Sequence, residues 1–395
     1  MGEKKKILMI LESNFPGHVR VDKEVSTLSD AGYTVDVAIC SRNKNVSYKT
    51  DFEWGTVYSK HISKIGYKLS ALALTVPYYF NFWESFLSKI IENNEYDYIH
   101  LHDLPLIKVV NKLSKKYSIP FVSDLHENRP EIMKLYSHVN TFLGKRMISM
   151  KRWGDYQAKY VPKADKVILI TDEAKDYYEK EFNISREKMY VVPNYVTFPV
   201  ETVDVDKSRY EVYKDKTTIV YFGDVSKRRG VYEMVEMANR LKENEKYHFL
   251  IIGGGSDYEP IKNLIELYGL TNIDALGFVP SKEAMRIIQE CSVGICPFHR
   301  NIHHNTTYAN KMFQFMGLGL PILVSNCDSQ EIVVKRTGSG EVFEDKNVDD
   351  MISKLEMIVG DKDKYSFMSE NNVKLVEKYF HWDVAAKELL KVYDN

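Results

Sequence analysis

Two polar stretches in the second half of the chain carry the groups that an anion needs. Tyr221-Phe-Gly-Asp-Val-Ser-Lys-Arg-Arg-Gly230 falls between a predicted strand, 218–222, and a predicted helix, 232–244. Gly223 lets the backbone turn closely. Lys227, Arg228 and Arg229 then place three cations at a helix entry, where free N–H groups also favour negative charge. On its own this stretch reads equally well as a solvated basic loop. The second stretch, Asn305 to Ser325, is a polar loop that enters a short helix at Asn310-Lys311. Gly317 and Gly319 end that helix, and Pro321 opens a buried strand. The first N–H groups of the helix, with Lys311 beside them, suit a phosphate. Ordinary helix capping is the alternative. Gly253-Gly254-Gly255 follows strand 248–252 but lacks the spacing of a dinucleotide fingerprint, and reads as a close backbone turn.

The first half offers two polar clusters, His100-Leu-His-Asp-Leu-Pro105 and Ser123-Asp-Leu-His-Glu-Asn-Arg129, each at the end of a predicted strand. Polar residues at the carboxyl ends of parallel strands tend to face a ligand. A structural histidine is the alternative for each. His299, His303 and His304 share a metal-like spacing, but they fall in a predicted loop with no third ligand, so no metal is expected. Cys40, Cys291, Cys296 and Cys327 form no C-x-x-C pair and read as reduced core thiols.

The elements that must position these groups alternate along the chain. Strand 7–11, helix 19–31 and strand 33–39 begin a doubly wound sheet. Later strands are expected at 98–101, 121–124, 166–170 and 189–192, with helices between them, one running the whole of 130–161. The pattern resets after Asn194. Strands at 218–222, 248–252, 273–276, 293–296 and 322–325 then alternate with helices, and helices fill 349–393. The expectation is an α/β protein of two Rossmann-like doubly wound domains facing a central cleft. Domain 1 would cover 1–195, and a last helix would cover 380–395. A linker would cover 196–216, and domain 2 217–379.

Composition excludes several classes. Lys plus Arg is 54 against 55 for Asp plus Glu, not the strongly basic balance of a nucleic-acid binder. The apolar run after the basic N-terminus is too short for a secretory signal. The longest uncharged stretch, Leu69 to Trp83, is broken by Pro77 and falls short of the ~20 residues a span needs. A cytoplasmic protein is expected, with peripheral contact at the inner membrane face as a further expectation. Lys145, Arg146, Lys151, Arg152 and Trp153, with the 69–83 segment, would make that contact. A solvated helix face beside a core helix is the alternative.

Taken together, the chain resembles glycosyltransferase family 4, retaining enzymes of the GT-B fold. The carrying segments are Phe222-Gly-Asp…Arg229-Gly230, Gly253-Gly254-Gly255, Leu276-Gly-Phe-Val279, Asn310-Lys-Met-Phe-Gln-Phe-Met316 and Gly319-Leu-Pro-Ile322. The first half adds Arg20-Val-Asp-Lys-Glu24 and the two histidine clusters. The resemblance implies transfer of a hexosyl or N-acetylhexosaminyl group from a UDP- or GDP-linked sugar, which is a substrate rather than a cofactor. The acceptor would be a glycan, a lipid-linked or a small molecule, in polysaccharide or glycoconjugate synthesis. No metal and no nucleic acid are implied. Arg229 and Lys311 match the basic residues on the diphosphate, and His126 matches the histidine on the transferred sugar. Gly17, Gly223, Gly253, Gly254, Phe278, Val279, Thr306, Asn310 and Gln314 match donor-side positions.

Three positions depart from the family pattern. Thr306 and Gln314 stand where the family carries two glutamates, and Asp224 where many relatives carry arginine. Exchanging a charged acceptor for Gln314 costs on the order of 1 kcal/mol. These departures keep two alternatives open: a degenerate transferase acting as a binding or scaffold subunit, and a nucleotide-sugar epimerase.

Overall fold

The computed structural model describes residues 5–394 apart from 137, 138, 140, 142, 143 and 145–147. The chain divides into two compact units. One runs to Pro193 and takes up Ala386–Asn395 again; the other is Asn194–Ala385.

The first unit holds an eight-stranded sheet of β1 (Lys6–Leu11), β2 (Thr34–Ser41), β3 (Lys49–Phe52), β4 (Gly55–His61), β5 (Tyr98–His102), β6 (Phe121–Asp124), β7 (Lys166–Leu169) and β8 (Met189–Val191), in the order β3-β4-β2-β1-β5-β6-β7-β8. Only β3 runs antiparallel, against β4. β1 is almost wholly buried, which is why it reads as a continuous apolar run. The helix Tyr78–Ile91 turns Tyr79, Phe80, Trp83, Phe86, Leu87 and Ile90 to the core at helical spacing. Pro77 stands at its N-cap and separates it from the short helix Lys64–Lys68.

Three expectations change here. The 69–83 segment gives Ala73, Tyr79, Phe80 and Trp83 to the core and leaves Thr75, Pro77, Tyr78 and Asn81 exposed. The helix expected over 130–161 is two helices, Arg129–Met133 and Met150–Tyr160. Ser149 starts the second by accepting the N–H of Arg152 at 3.3 Å. The β3–β4 hairpin was not expected at all. β3 is exposed along its length and carries no apolar alternation; its pairing and the Thr56 hydroxyl, which donates to Asp51 at 2.8 Å, hold it.

The second unit holds a six-stranded parallel sheet of β9 (Thr217–Phe222), β10 (Tyr247–Ile252), β11 (Ile273–Gly277), β12 (Val293–Cys296), β13 (Ile322–Ser325) and β14 (Gly340–Phe343), in the order β11-β10-β9-β12-β13-β14. Residues 196–216, expected as a linker, pack on this unit. A short helix, Glu211–Lys214, follows Tyr210, and Tyr210 and Tyr213 are buried in the core. The Arg286 guanidinium lies 4.0 Å over the Tyr210 ring, and Tyr213 donates to Asp274 at 3.3 Å. The charges around those tyrosines hid them from a periodicity reading. The last helix, Trp382–Lys391, begins in the second unit and ends in the first, where Tyr393 is fully buried. No helix among the described residues is long and apolar enough to cross a membrane.

Truncating a buried aromatic costs about 3–5 kcal/mol. Tyr213→Ala is therefore expected to lower the urea midpoint of the second unit by an amount of that order. A midpoint within error of the parent would mean that 196–216 contributes no packing.

Candidate functional site

In the second sheet β9 pairs with β10 on one side and β12 on the other, so the chain leaves β9 at a topological switch point. Two glycines make the crossing there possible. A Cβ on Gly253 would sit 1.8 Å from the Gly223 carbonyl oxygen, and one on Gly230 would sit 1.7 Å from that of Pro297. Both have positive φ, 143° and 71°, which glycine adopts without strain. The loops after β9, β10 and β12 are thereby drawn onto one another.

Phe298, after β12, is the floor of this arrangement and is 1% exposed. The Arg229 guanidinium lies 4.3 Å from its ring centre, and the Lys311 Nζ 5.2 Å. Lys311 Nζ is also 3.6 Å from the centre of the Tyr221 ring and 3.1 Å from where a Gly223 Cβ would be. Lys311, distant in sequence, therefore meets Gly223 and Arg229 of the loop after β9. Among the described residues no ion pair joins either cation to a carboxylate. Arg229 Nε and Lys311 Nζ are both buried without a hydrogen-bond partner. Asp224 is engaged elsewhere, accepting from Arg228 at 3.1 Å and from the Ser226 hydroxyl at 2.7 Å. Burial holds Lys311 well below the usual lysine range, and Arg229 adds to that; burial also lowers Arg229. Two desolvated cations without a counter-charge are stabilised by an incoming anion.

The other donor-side positions scatter around this centre. Asn310 is exposed at the start of the helix Asn310–Gly317, whose N-cap, Ala309, offers no side-chain acceptor. Gln314 is half-buried on the next turn. Thr306 is turned inward, its hydroxyl donating to the Ile302 carbonyl at 2.8 Å. Beyond β11, the Phe278 ring is 83% exposed and Val279 is buried, whereas a Cβ on Gly254 would meet open space.

Of the three histidines expected in a loop, His303 and His304 lie on a short helix, Ile302–Asn305, capped by Asn301. His304 Nδ1 donates to the His299 carbonyl at 2.7 Å. Burial pushes His303 and His304 down to about 2 and about 3, so both rings are neutral. His299 pairs instead with Glu233 at 2.9 Å.

In the first unit the two histidine clusters converge as expected from their strand ends. His126 Nε2 lies 3.1 Å from Asp124 Oδ2 and 3.1 Å from His102 Nδ1. Burial opposes its charge, but Asp103 and Asp124 outweigh that and raise it to about 9. Gly17 has φ 107° and donates its N–H to Asp22 at 3.0 Å. The next residue, His18, packs its ring 5.9 Å from that of His126.

Beneath His126 a network joins Asp124 and His100 of those clusters to Arg20, Glu24 and Tyr393, which the spacing did not single out as a site. Arg20 donates to both Asp124 oxygens, at 3.1 and 2.9 Å, and to the Val192 carbonyl at 2.9 Å. It also pairs with Glu24 at 2.8 Å. The Tyr393 hydroxyl closes the network 2.5 Å from His100 Nδ1. Burial and the neighbouring Asp124 raise Glu24 to about 8. The i,i+4 charges of Arg20 and Glu24 on a buried helix face were the available signal; Tyr393 had none. Glu24, His100, His102 and Asp124 bring four ligating atoms within 4.8 Å of one another. Arg20 and the His126 imidazolium already lie against the two carboxyl groups of this set.

Five residues were expected to form a basic membrane face, and the described residues hold three of them, Lys151, Arg152 and Trp153. Lys145 and Arg146 lie outside the described residues, and Trp153 is 3% exposed within the core. Arg152 donates to the Thr75 hydroxyl at 2.8 Å and to the Leu74 carbonyl.

Comparison with known proteins agrees with this geometry. The family model described as glycosyltransferase family 4 matches residues 19–197, and the one described as glycosyl transferases group 1 matches 203–375. An uncharacterized glycosyltransferase of Methanocaldococcus jannaschii is 21% identical over 329 residues, 79% of this chain and 80% of that protein. A second relative from that organism is matched over only 59% of its length. Sucrose-phosphate synthase from Thermosynechococcus elongatus superposes with a TM-score of 0.78 at 15% identity, over 99% of this chain and 98% of its own. The HepE protein of Anabaena, solved with UDP and glucose, superposes with a TM-score of 0.70 at 12% identity, over 98% and 99%.

A histidine held above its usual value stabilises the fold fully below pH ~6.5 and loses that contribution as pH rises through about 9. The melting temperature of the parent should fall more steeply between pH 6.5 and 9.5 than that of His126→Gln. Parallel curves would show that no imidazolium is held there.

Proposed function

This chain is a family 4 glycosyltransferase of the GT-B fold, and we propose that it is a retaining enzyme whose second unit grips a UDP- or GDP-linked sugar by its diphosphate. The observation that carries this reading is the unanswered pair of cations, Arg229 and Lys311, on Phe298. At ~4 Å and an effective dielectric of ~20, each contact with a phosphate charge is worth about 4 kcal/mol before desolvation. Departure of the diphosphate builds negative charge where these fixed cations and the uncapped helix start at Asn310 can receive it. In this reading no metal is needed for that step.

Retention is assigned to same-face attack, in which the donor phosphate takes the acceptor proton and no protein nucleophile is required. His126 is placed on the transferred hexosyl or N-acetylhexosaminyl group. Gln314 is placed on the ribose hydroxyls, where its amide oxygen accepts. The proposed setting is cytoplasmic synthesis of polysaccharide or glycoconjugate. A Bacillus subtilis relative, 20% identical over 239 residues, is described as a putative teichuronic acid biosynthesis glycosyltransferase, which supports that setting. The inward turn of Thr306 favours one second reading, a degenerate subunit that binds donor without turning it over.

Losing a charge-assisted hydrogen bond costs about 1.5–3 kcal/mol. Arg229→Ala and Lys311→Ala are each expected to weaken UDP or GDP binding by roughly 10- to 100-fold in calorimetry, with an unchanged circular dichroism spectrum. Parent-like affinity in both variants would overturn the assignment. Binding without release of nucleotide from any nucleotide sugar would favour the degenerate subunit.

A further inference from the structure

Three buried polar atoms without a hydrogen-bond partner crowd together in the first unit: Glu24 Oε2, His100 Nε2 and His102 Nε2. The topology brings them there. β1 pairs with β2 on one side and β5 on the other, so the chain leaves β1 at a switch point. The helix Val19–Asp30, which follows β1, turns Arg20 and Glu24 inward. His100 and His102, two residues apart on β5, share one face of the strand, and Asp124 ends β6 opposite His102. Glu24, His100, His102 and Asp124 are each 1% exposed or less.

His100 Nε2 lies 3.6 Å from both Glu24 Oε2 and Asp124 Oδ2, and His102 Nε2 lies 4.0 Å from Glu24 Oε2. Those separations discriminate between occupants. A direct hydrogen bond holds its heavy atoms about 2.7–3.2 Å apart, so these histidines and carboxyl groups do not satisfy one another. A buried water stands ~2.9 Å from each partner, which spaces tetrahedral partners ~4.7 Å apart. A zinc ion, with bonds of ~2.1 Å, spaces its ligands ~3.4 Å apart. The two shorter separations are close to the zinc value, and all three are short of the water value.

The surroundings are also those of a metal site. A metal-bound imidazole has its other ring nitrogen held by a neighbour. Here His100 Nδ1 is 2.5 Å from the Tyr393 hydroxyl, and His102 Nδ1 is 3.1 Å from His126 Nε2. Arg20 lies 2.8 Å from Glu24 Oε1 and 2.9 Å from Asp124 Oδ1, so it takes the other oxygen of each carboxyl group. Arg20 Nε and His126 Nε2 also reach Asp124 Oδ2, each at 3.1 Å. Arg20 is still one cation between two carboxyl groups, and His126 answers Asp103 as well, 3.9 Å from its Nδ1. Glu24 holds a proton more readily than an ordinary carboxyl group, and a metal ion displaces that proton when it binds.

We propose that Glu24 Oε2, His100 Nε2, His102 Nε2 and Asp124 Oδ2 bind one zinc ion, a structural site of the first unit with no part in the departure of the diphosphate. Zinc there pins the helix Val19–Asp30 to the ends of β5 and β6 and fixes His102 against His126. The site holds whether or not the second unit binds a nucleotide sugar.

The full chain, produced with zinc in the medium and then desalted, should carry stoichiometric zinc by elemental mass spectrometry. Glu24→Gln keeps the size of the side chain and removes a charged ligand. In chelator competition it should weaken zinc binding by more than the roughly 10- to 100-fold that loss of a supporting neighbour costs. His299→Gln, outside the cluster, should hold zinc as the parent does. In crystals of the parent chain, anomalous scattering at the zinc edge should place one peak among the four atoms. A parent chain without zinc would overturn the proposal, as would parent-like zinc binding in Glu24→Gln. An anomalous peak elsewhere, or a water in that space, would do the same. The crystallographic result decides the matter even if Glu24→Gln fails to fold.

Discussion

A lysine and an arginine share one phenylalanine ring, and no carboxylate answers them. Bringing two like charges out of water is unfavourable, and a fold that only needed packing would have placed apolar side chains around Phe298. The arrangement holds because other parts of the second unit fix it. Gly230 and Gly253 let three strand-end loops approach to distances that a Cβ would forbid. Asp224, the nearby carboxylate that could have quenched the pair, is held by Arg228 and Ser226. The site is therefore an electrostatic deficit maintained by backbone geometry, and a diphosphate is the kind of ligand that relieves it.

The first unit shows the opposite treatment of buried charge. Arg20, Glu24, Asp124 and His126 form a network in which buried cations meet carboxyl groups. These contacts make the network a fixed platform. It sets the orientation of His102 and His126 and anchors the end of the chain through Tyr393. On the histidine side of that network Glu24, His100 and His102 leave atoms without a partner. In both units the groups that matter to a ligand are those the surrounding structure leaves unanswered, and in both they lie at the switch point of the sheet.

The two sheets were legible because parallel strands buried on both faces are continuous apolar runs, and the helices between them keep one apolar stripe. The elements that escaped notice lacked such a signature. β3 is exposed along its length, and β14 is a short edge strand beginning at a glycine. Tyr210 and Tyr213 are embedded among charges, so the segment carrying them read as a linker although both are core residues. The single helix expected over 130–161 failed for a related reason. Periodicity reports which residues face inward, but Ser149 restarts the helix by a cap that periodicity does not register.

The sequence by itself determined the local chemistry: glycines where loops must approach closely, cations at a helix entry, histidines and carboxylates at strand ends. These are properties of neighbouring residues, and short-range geometry is enough to read them. Only the tertiary structure decided which charges are compensated. Whether Arg229 finds a carboxylate, whether Thr306 faces inward, and whether Tyr393 reaches His100 across 293 positions depend on contacts between distant parts of the chain. A charge has no fixed consequence until its surroundings are known, because burial and partners, not residue type, set what it costs and what it attracts.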